Sequence, residues 1–342
     1  MKLSIIILCW NDLKVIANCL KSIFDETSEI DFEVIVSDNG SADGSVELIQ
    51  ERFPKVRIIE NRANLGFAKG NNAGIRVARG EYVLILNPDT IIRDRALQKL
   101  VAFADRHPEA GAFGCRVLNP DGSFQNPARP IPTVRGWLLG ALCLRWLGRV
   151  SARFSSDLYP GWDGRSEREI GFQSGCCVLF RGNLLKRLGG FDEQFFYHFE
   201  ESDLCARVWN SGFSVRYYPG AEIVHLGGQS VGRFPVRFAL ETYRSGYRFF
   251  YKHYGRAGLM GIRRVYLLRL HVRQIGYTLL GLVKSSEPVR NRLAMYRVAI
   301  KWNRLLDPMR FVETGQEPDV GYEPLAPAPK PIEAAVLPDG GR

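Results

Sequence analysis

Short runs of β-branched apolar residues alternate with helix-like spacing through the first part of the chain. Ser4–Cys9 (SIIILC), Glu33–Ser37 (EVIVS), Val56–Glu60 and Tyr82–Leu86 read as strands, mostly continuous apolar runs that suit burial on both faces. Between the first two, Val15, Cys19, Leu20 and Ile23 fall on one face of a helix, and further helices are predicted over Val46–Arg52 and Gly66–Val77. This βαβαβαβ rhythm predicts an α/β domain, a parallel sheet with helices on both faces. Ligands of such sheets bind at the carboxyl ends of the strands, so the loops after Cys9, Ser37 and Leu86 should converge on one site.

The middle of the chain is less regular. Residues 119–170 are rich in Pro, Gly, Arg and Trp and predict loops over that site. Order returns at Gln173–Phe180, followed by a helix over Leu184–Leu188 with a Gly189-Gly190 stop and a helix over Glu200–Asn210. Ser214–Tyr218 and Glu222–His225 read as two short strands, and beyond Arg233 the pattern is helical, basic and aromatic. From Thr314 onward six prolines in 29 residues, without apolar periodicity, predict a disordered tail over 314–342.

Composition narrows the class. With 342 residues, 46% hydrophobic and 24% charged, the chain is neither disordered throughout nor fibrous, and its length suits one large domain with an appendage or two domains. Seven cysteines without a CxxC pair argue against a disulfide framework or zinc ribbon and suit a reducing cytoplasm. No signal peptide is expected, and no run of about 18 uncharged apolar residues predicts a membrane span. The net charge of +10 is uneven, because residues 231–310 hold 17 Lys+Arg against Glu241, Glu287 and Asp307. A basic region on a mildly acidic body suggests an anionic partner surface. No nucleic-acid motif is evident, so a membrane leaflet is the expected one. Tyr243–Arg256 (YRSGYRFFYKHYGR) reads as an interfacial amphipathic segment, the alternative being a helical cap whose arginines snorkel into water.

Four polar clusters could carry chemistry. Ser37–Ser45 (SDNGSADGS) follows a strand, so Asp38 could meet a nucleobase or ribose, or simply close a turn. Asn87–Thr90 (NPDT) follows the most continuous strand, where Asp89 could hold a divalent cation or cap a helix. In Phe195–Leu204 (FFYHFEESDL), Glu200, Glu201 and Asp203 lie beside an aromatic run that could tune one of them as a general base, or they cap a helix N-terminus. His225 in HLGGQS could meet a cation or sit in the core beside a glycine turn. A dinucleotide-type GxGxxG is missing after the first strand, where CWNDLK stands, which argues against a dehydrogenase.

Taken in order, SIIILCWND, VSDNGSADGS, NLGFAKGNNAGI, YVLILNPDT, SGCCVLFRG, GGFDEQFFYHFEESDLCARV and VHLGGQS resemble inverting glycosyltransferases of family 2, which have the GT-A fold, over about two-thirds of the chain. Bacterial rhamnosyltransferases and galactofuranosyltransferases of cell-surface polysaccharide assembly are the most similar. The resemblance implies a catalytic domain over 1–230, a basic helical region over 231–313 and the tail over 314–342. It implies a donor pocket from Cys9, Trp10, Asn11 and Asp38, completed by Asn64, Gly66 and Asn72, with Trp10 either stacking on the base or packing the sheet edge. Asp89 matches the last acid of a DxD-type motif whose first position is here Asn87, and His225 matches a position near the metal, implying Mg²⁺ or Mn²⁺. Glu201 falls at the base position in place of the usual Asp, with Glu200 and Asp203 as alternatives. The implied reaction moves a sugar, rhamnose-like by preference, from a dTDP- or UDP-linked donor to a lipid-linked or polysaccharide hydroxyl. Galactofuranose, N-acetylglucosamine and glucose remain open, as does a nucleotide- or nucleic-acid-binding protein without transferase activity. The expected location is cytoplasmic, peripheral at the inner face of the cell membrane.

Overall fold

The computed structural model describes residues 1–142, 144, 148, 158–227, 235–284 and 286–320. The predicted alternation is present: β1 (Leu3–Cys9), α1 (Leu13–Glu26), β2 (Phe32–Asp38), α2 (Ser45–Arg52), β3 (Arg57–Glu60), α3 (Gly66–Val77) and β4 (Tyr82–Leu86). Then follow β5 (Thr90–Ile92), α4 (Ala96–Asp105), β6 (Ala110–Leu118), β7 (Ala128–Arg129), α5 (Val134–Ala141), β8 (Arg168–Glu169) and β9 (Phe172–Gln173). The domain closes with β10 (Cys177–Arg181), α6 (Gly182–Arg187), α7 (Glu200–Asn210) and β11 (Ser214–His225).

The main sheet runs β3-β2-β1-β4-β10-β6-β11-β5, with β8 beside β11. Its first four strands are parallel, as the buried apolar runs of β1, β2 and β4 predict, with the partly exposed β3 at the edge. β10 enters antiparallel to both β4 and β6, so the sheet is mixed rather than wholly parallel. The two strands expected over 214–225 are a single strand, β11, whose register against β6 slips between Tyr218 and Glu222. Alternate residues of each strand point to opposite faces. Ile6, Ile35, Val83 and Ile85 face α3, α6 and α7, whereas Ile5, Ile7, Val34 and Leu84 face α1 and α4.

Beyond the sheet lie α8 (Pro235–Val283), which bends at Gly255, then α9 (Glu287–Leu305) and α10 (Pro308–Thr314). The junction expected near 230 lies outside the described residues, and the helices beyond it share one hydrophobic core with the sheet. Tyr247, Phe249 and Phe250 are fully buried there, with Phe199 packed 5.3 and 6.2 Å from the two phenylalanine rings. The middle of the run Tyr243–Arg256 is therefore core, while Lys252, Tyr254 and Arg256 at its end are exposed. The expected tail begins docked: Glu317 accepts hydrogen bonds from Arg244 Nε (2.8 Å) and Trp302 Nε1 (3.1 Å), while 321–342 lie outside the described residues.

A set of polar contacts clamps α8 onto the segment leading into α7. Lys252 pairs with Asp192 (2.6 Å), Arg248 donates to the Gln194 carbonyl (2.6 Å) and Ser245 to the Tyr197 carbonyl (2.8 Å). At the centre is Asp203, wholly buried, with Arg207 Nε 2.8 Å from one oxygen and Lys252 Nζ and His253 Nε2 at 2.8 and 2.9 Å from the other. Burial pushes this carboxyl's pKa up, but the His253 hydrogen bond and the Arg207 and Lys252 charges outweigh it and hold it below the usual value. Removing the carboxylate leaves Arg207 and His253 without their acidic partner, while Lys252 keeps Asp192. Asp203→Asn should lower unfolding stability at neutral pH by about 3 kcal/mol in urea denaturation. Because the folded pKa is depressed, that contribution is complete above the ordinary value of 3.8 and is lost as pH falls through the folded one. The gap between parent and variant should therefore shrink in acid. Equal urea midpoints at neutral pH would dismiss the clamp.

Candidate active site

A cleft of about 260 Å³ opens where the carboxyl ends of β1, β2 and β4 meet the N-termini of α3 and α7. Of the residues anticipated for it, Trp10, Asn64, Gly66, Asn87, Asp89, Glu200, Glu201 and His225 line it. Gly66 opens α3 at φ +80, and any Cβ there would lie 2.6 Å from the Phe196 ring, so the position requires glycine. The next amide, Phe67 N, donates to the Phe196 carbonyl at 2.8 Å and pins the aromatic segment across the cleft.

Five anticipated residues support the site from outside its lining. Cys9 is buried in the sheet, and burial pushes its thiol up to about 12. Asn11 ties the loop after β1 to the loop after β2: its side-chain oxygen accepts from the Ala42 N–H at 2.8 Å and its own backbone N–H donates to Ser41 Oγ at 2.8 Å. Asp38 closes its own turn by accepting from the amides of Gly40 (2.9 Å) and Ser41 (3.0 Å). Asn72 grips both backbone groups of Phe191, at 2.8 and 2.9 Å. Asp203 points into the cation clamp and not into the cleft, which removes it from candidacy as base.

Other lining residues carried no assigned role in the sequence. Asn39 stands inside the quoted SDNGSADGS turn and donates to the Gly66 carbonyl at 3.1 Å. Asp12 lines the wall and accepts from Trp10 N at 2.8 Å. Ser174, Gly175 and Cys176 lead into β10 within SGCCVLFRG, a stretch whose apolar character conceals a site loop. Gln125, which orients His225, lies in the irregular middle, where no local signal marks it.

His198 and Phe199 both adopt left-handed backbone (φ 66 and 70) before α7, an uncommon conformation for two successive non-glycine residues. This turn delivers Glu200 and Glu201 to the helix N-terminus, where the dipole favours negative charge. Burial raises the pKa of both carboxyls, and the charge of Glu201 raises that of Glu200 further. Glu200 is buried at the cleft wall, and its Oε2 has no hydrogen-bond partner. Glu201 Oε1 is fixed by the Gly175 N–H at 2.9 Å. Glu201 also borders a second cavity of about 470 Å³, walled by Pro130, Trp137 and Phe172, which shares Ser174, His198 and Glu201 with the cleft. One carboxylate therefore faces both chambers.

Opposite it, His225 Nε2 stands 3.2 Å from Asp89 Oδ1 and 3.3 Å from the Asn87 amide nitrogen. Gln125 spends its NH₂ on Asn119 Oδ1 (2.7 Å), so its Oε1 accepts from His225 Nδ1 at 2.6 Å. With the proton held on Nδ1, the Nε2 lone pair turns toward the Asp89 carboxylate. Two facing donors of this kind fit a divalent cation. Among the described residues no cluster of three His, Cys, Asp or Glu exists, so a cation here must complete its shell with ligand or water oxygens. Of HLGGQS, residues 228–230 lie outside the described residues.

Residues 4–189 match glycosyl transferase family 2. The chain is 34% identical over 230 residues to the N-acetylglucosaminyl-diphospho-decaprenol L-rhamnosyltransferase of Mycobacterium tuberculosis, covering 63% of this chain and 73% of that protein. It is 25% identical over 213 residues to the low-salt glycan biosynthesis hexosyltransferase Agl10 of Haloferax volcanii, covering 60% and 62%. Among solved structures it resembles the mannosyltransferase PcManGT of Pyrobaculum calidifontis, in complex with GDP-Man and Mn²⁺, with a TM-score of 0.52 at 18% identity over 92% of this chain and 88% of that one. That likeness bears on the fold, which is GT-A.

Proposed function

The chain belongs to glycosyl transferase family 2, and from that premise we propose that it moves a sugar, rhamnose by preference, from a dTDP- or UDP-linked donor to a hydroxyl of a lipid-linked glycan acceptor in cell-envelope assembly. The observation that carries this reading is the position of Glu201 between two chambers. The name of the mycobacterial relative supports the choice of sugar and acceptor.

The donor lies in the cleft, with its base against Trp10 and the amides of Asn39 and Asn64. The acceptor enters the second cavity, where Trp137 and Phe172 offer ring faces to a sugar. Glu201, oriented by Gly175, accepts the acceptor hydroxyl proton while that oxygen bonds to the anomeric carbon. The bond from that carbon to the diphosphate breaks on the opposite side, so the configuration inverts and the diphosphate departs with the electron pair. Glu200 lines the same cleft beside it, with its pKa raised by burial and by the Glu201 charge. Asp89 and His225 would hold Mg²⁺ or Mn²⁺, which supplies positive charge to the departing diphosphate.

Glu201→Gln should retain donor binding and lower kcat by roughly 10²–10⁴-fold, the range for loss of a general base. In the parent, kcat should fall in acid with a midpoint above the ordinary glutamate value of 4.5, since the base must be ionised and burial raises its pKa. Near-normal turnover of Glu201→Gln with collapse of Glu200→Gln would move the role to Glu200.

Calorimetric titration with nucleoside diphosphates, with and without Mn²⁺, tests the donor site. Asp89→Ala should abolish the metal-dependent part of binding, and His225→Ala should weaken it less because imidazole brings no charge to the ion. A parent whose binding and turnover ignore EDTA would refute the metal assignment.

A further inference from the structure

The large apolar side chains that the fold leaves uncovered are concentrated on the second half of α8. Leu268, Val272, Ile275, Leu279 and Leu282 follow one another at intervals of four and three residues, which makes a single stripe along the helix. Their exposure rises toward the end, with Ile275 60% exposed, Leu282 80% and Val283 89%. The opposite side of this segment is already occupied by α9, where Tyr277 packs on Tyr296 with ring centroids 5.5 Å apart. The stripe is therefore not a core face awaiting α9.

Charge indicates what covers it. No acid occurs between Glu241 and Glu287, while Arg264, Arg273, Lys284 and Arg292 are exposed along α8 and the start of α9. The 4-3 spacing would also suit a helix seam with a second copy, but pairing two such surfaces sets like charges against each other. An anionic leaflet meets both the apolar stripe and the net positive charge of the region that carries it. Among the described residues no helix is long and apolar enough to cross a membrane, so the fitting geometry is a helix lying in the interface.

The stripe also connects to the second cavity. Trp137, which lines that cavity, carries Arg269 of α8 over its ring at 5.0 Å. On the same short helix Leu138 and Leu142 are exposed. We propose that the apolar stripe Leu268–Val283, and not the buried aromatic run before it, seats this protein on an anionic membrane surface, with the Trp137 cavity beside the lipid so that the headgroup of a lipid-linked acceptor enters it. The membrane half of this proposal stands on the surface itself. The acceptor half rests on the transferase reading above.

The test is co-sedimentation of the full-length protein with vesicles of phosphatidylglycerol mixed into phosphatidylcholine, against phosphatidylcholine alone. The parent should sediment with the anionic vesicles and much less with the neutral ones. The triple variant Ile275→Gln, Leu279→Gln, Leu282→Gln preserves net charge and should bind anionic vesicles at least about tenfold more weakly, because three inserted apolar side chains are lost. Leu279→Trp in the otherwise unchanged chain should show blue-shifted emission on anionic vesicles. A parent that ignores anionic vesicles, or a folded triple variant that binds them like the parent, would overturn the proposal. A parent dimer that the triple variant converts to monomer, with vesicle binding unchanged, would assign the stripe to self-association. If the triple variant loses the membrane while the parent transfers no sugar from any nucleotide donor, the surface stands and the transferase assignment falls.

Discussion

The buried carboxylate of Asp203 joins α7 to α8 from the middle of the polar contacts that hold the two together. It takes Arg207 from its own helix and Lys252 and His253 from α8, all within 2.9 Å. A lone charge at such depth would be costly, and it is tolerated because three cationic or donor groups surround it. The consequence reaches the site, because Asp203 stands two residues after Glu201. Whatever fixes the first turn of α7 also fixes the position of the candidate base. The left-handed backbone at His198 and Phe199 is strained, and α8 restrains it through Ser245 on the Tyr197 carbonyl and Phe249 and Phe250 against Phe199. The C-terminal helices are thus part of how the active-site segment is held.

The first four strands and their helices were legible because each local signal agrees with its tertiary role. Runs such as YVLIL are buried on both faces, and nothing nearby competes with that pattern. β6 was not legible. Its sequence AGAFGCRVL carries Gly111 and Gly114, which weaken a strand signal, yet a Cβ at either would come within 2.3 Å of Leu184 or Gln173. Close packing across the sheet demanded residues that hide the strand. The direction of β10 was equally out of reach, since antiparallel insertion depends on the irregular segment before it.

Polar positions separate in a similar way. A strand end marked Asp38, the family resemblance marked Asn72 and an acid cluster beside aromatics marked Asp203, but partners decided their work. Asp38 is consumed by its own turn, Asn72 by a backbone 119 residues away and Asp203 by cations around 50 residues on. Trp10, Asp89, Glu201 and His225 meet at one cleft because parallel strand ends and the β11 terminus converge there, a topological fact that local pattern anticipates. Amphipathic periodicity carries less information. Tyr243–Arg256 has the composition of an interfacial helix, yet its Tyr247, Phe249 and Phe250 lie in a protein core, since an apolar face records only that something must cover it.

Glu200 and Glu201 are chemically identical neighbours, and their surroundings divide them. One is buried at the cleft wall with an oxygen that meets no donor, and the charge of the other discourages its ionisation. The second receives a backbone N–H from Gly175 and reaches the wall shared by both chambers. A helix N-terminus helps any carboxylate in its first turn and does not discriminate between adjacent ones. What separates them in space is Gly175, whose N–H holds Glu201 Oε1 at 2.9 Å and where a Cβ would come equally close to that oxygen. A larger residue at that glycine would push away the carboxylate it now orients, so the acid pair takes its asymmetry from a backbone amide on the opposite wall.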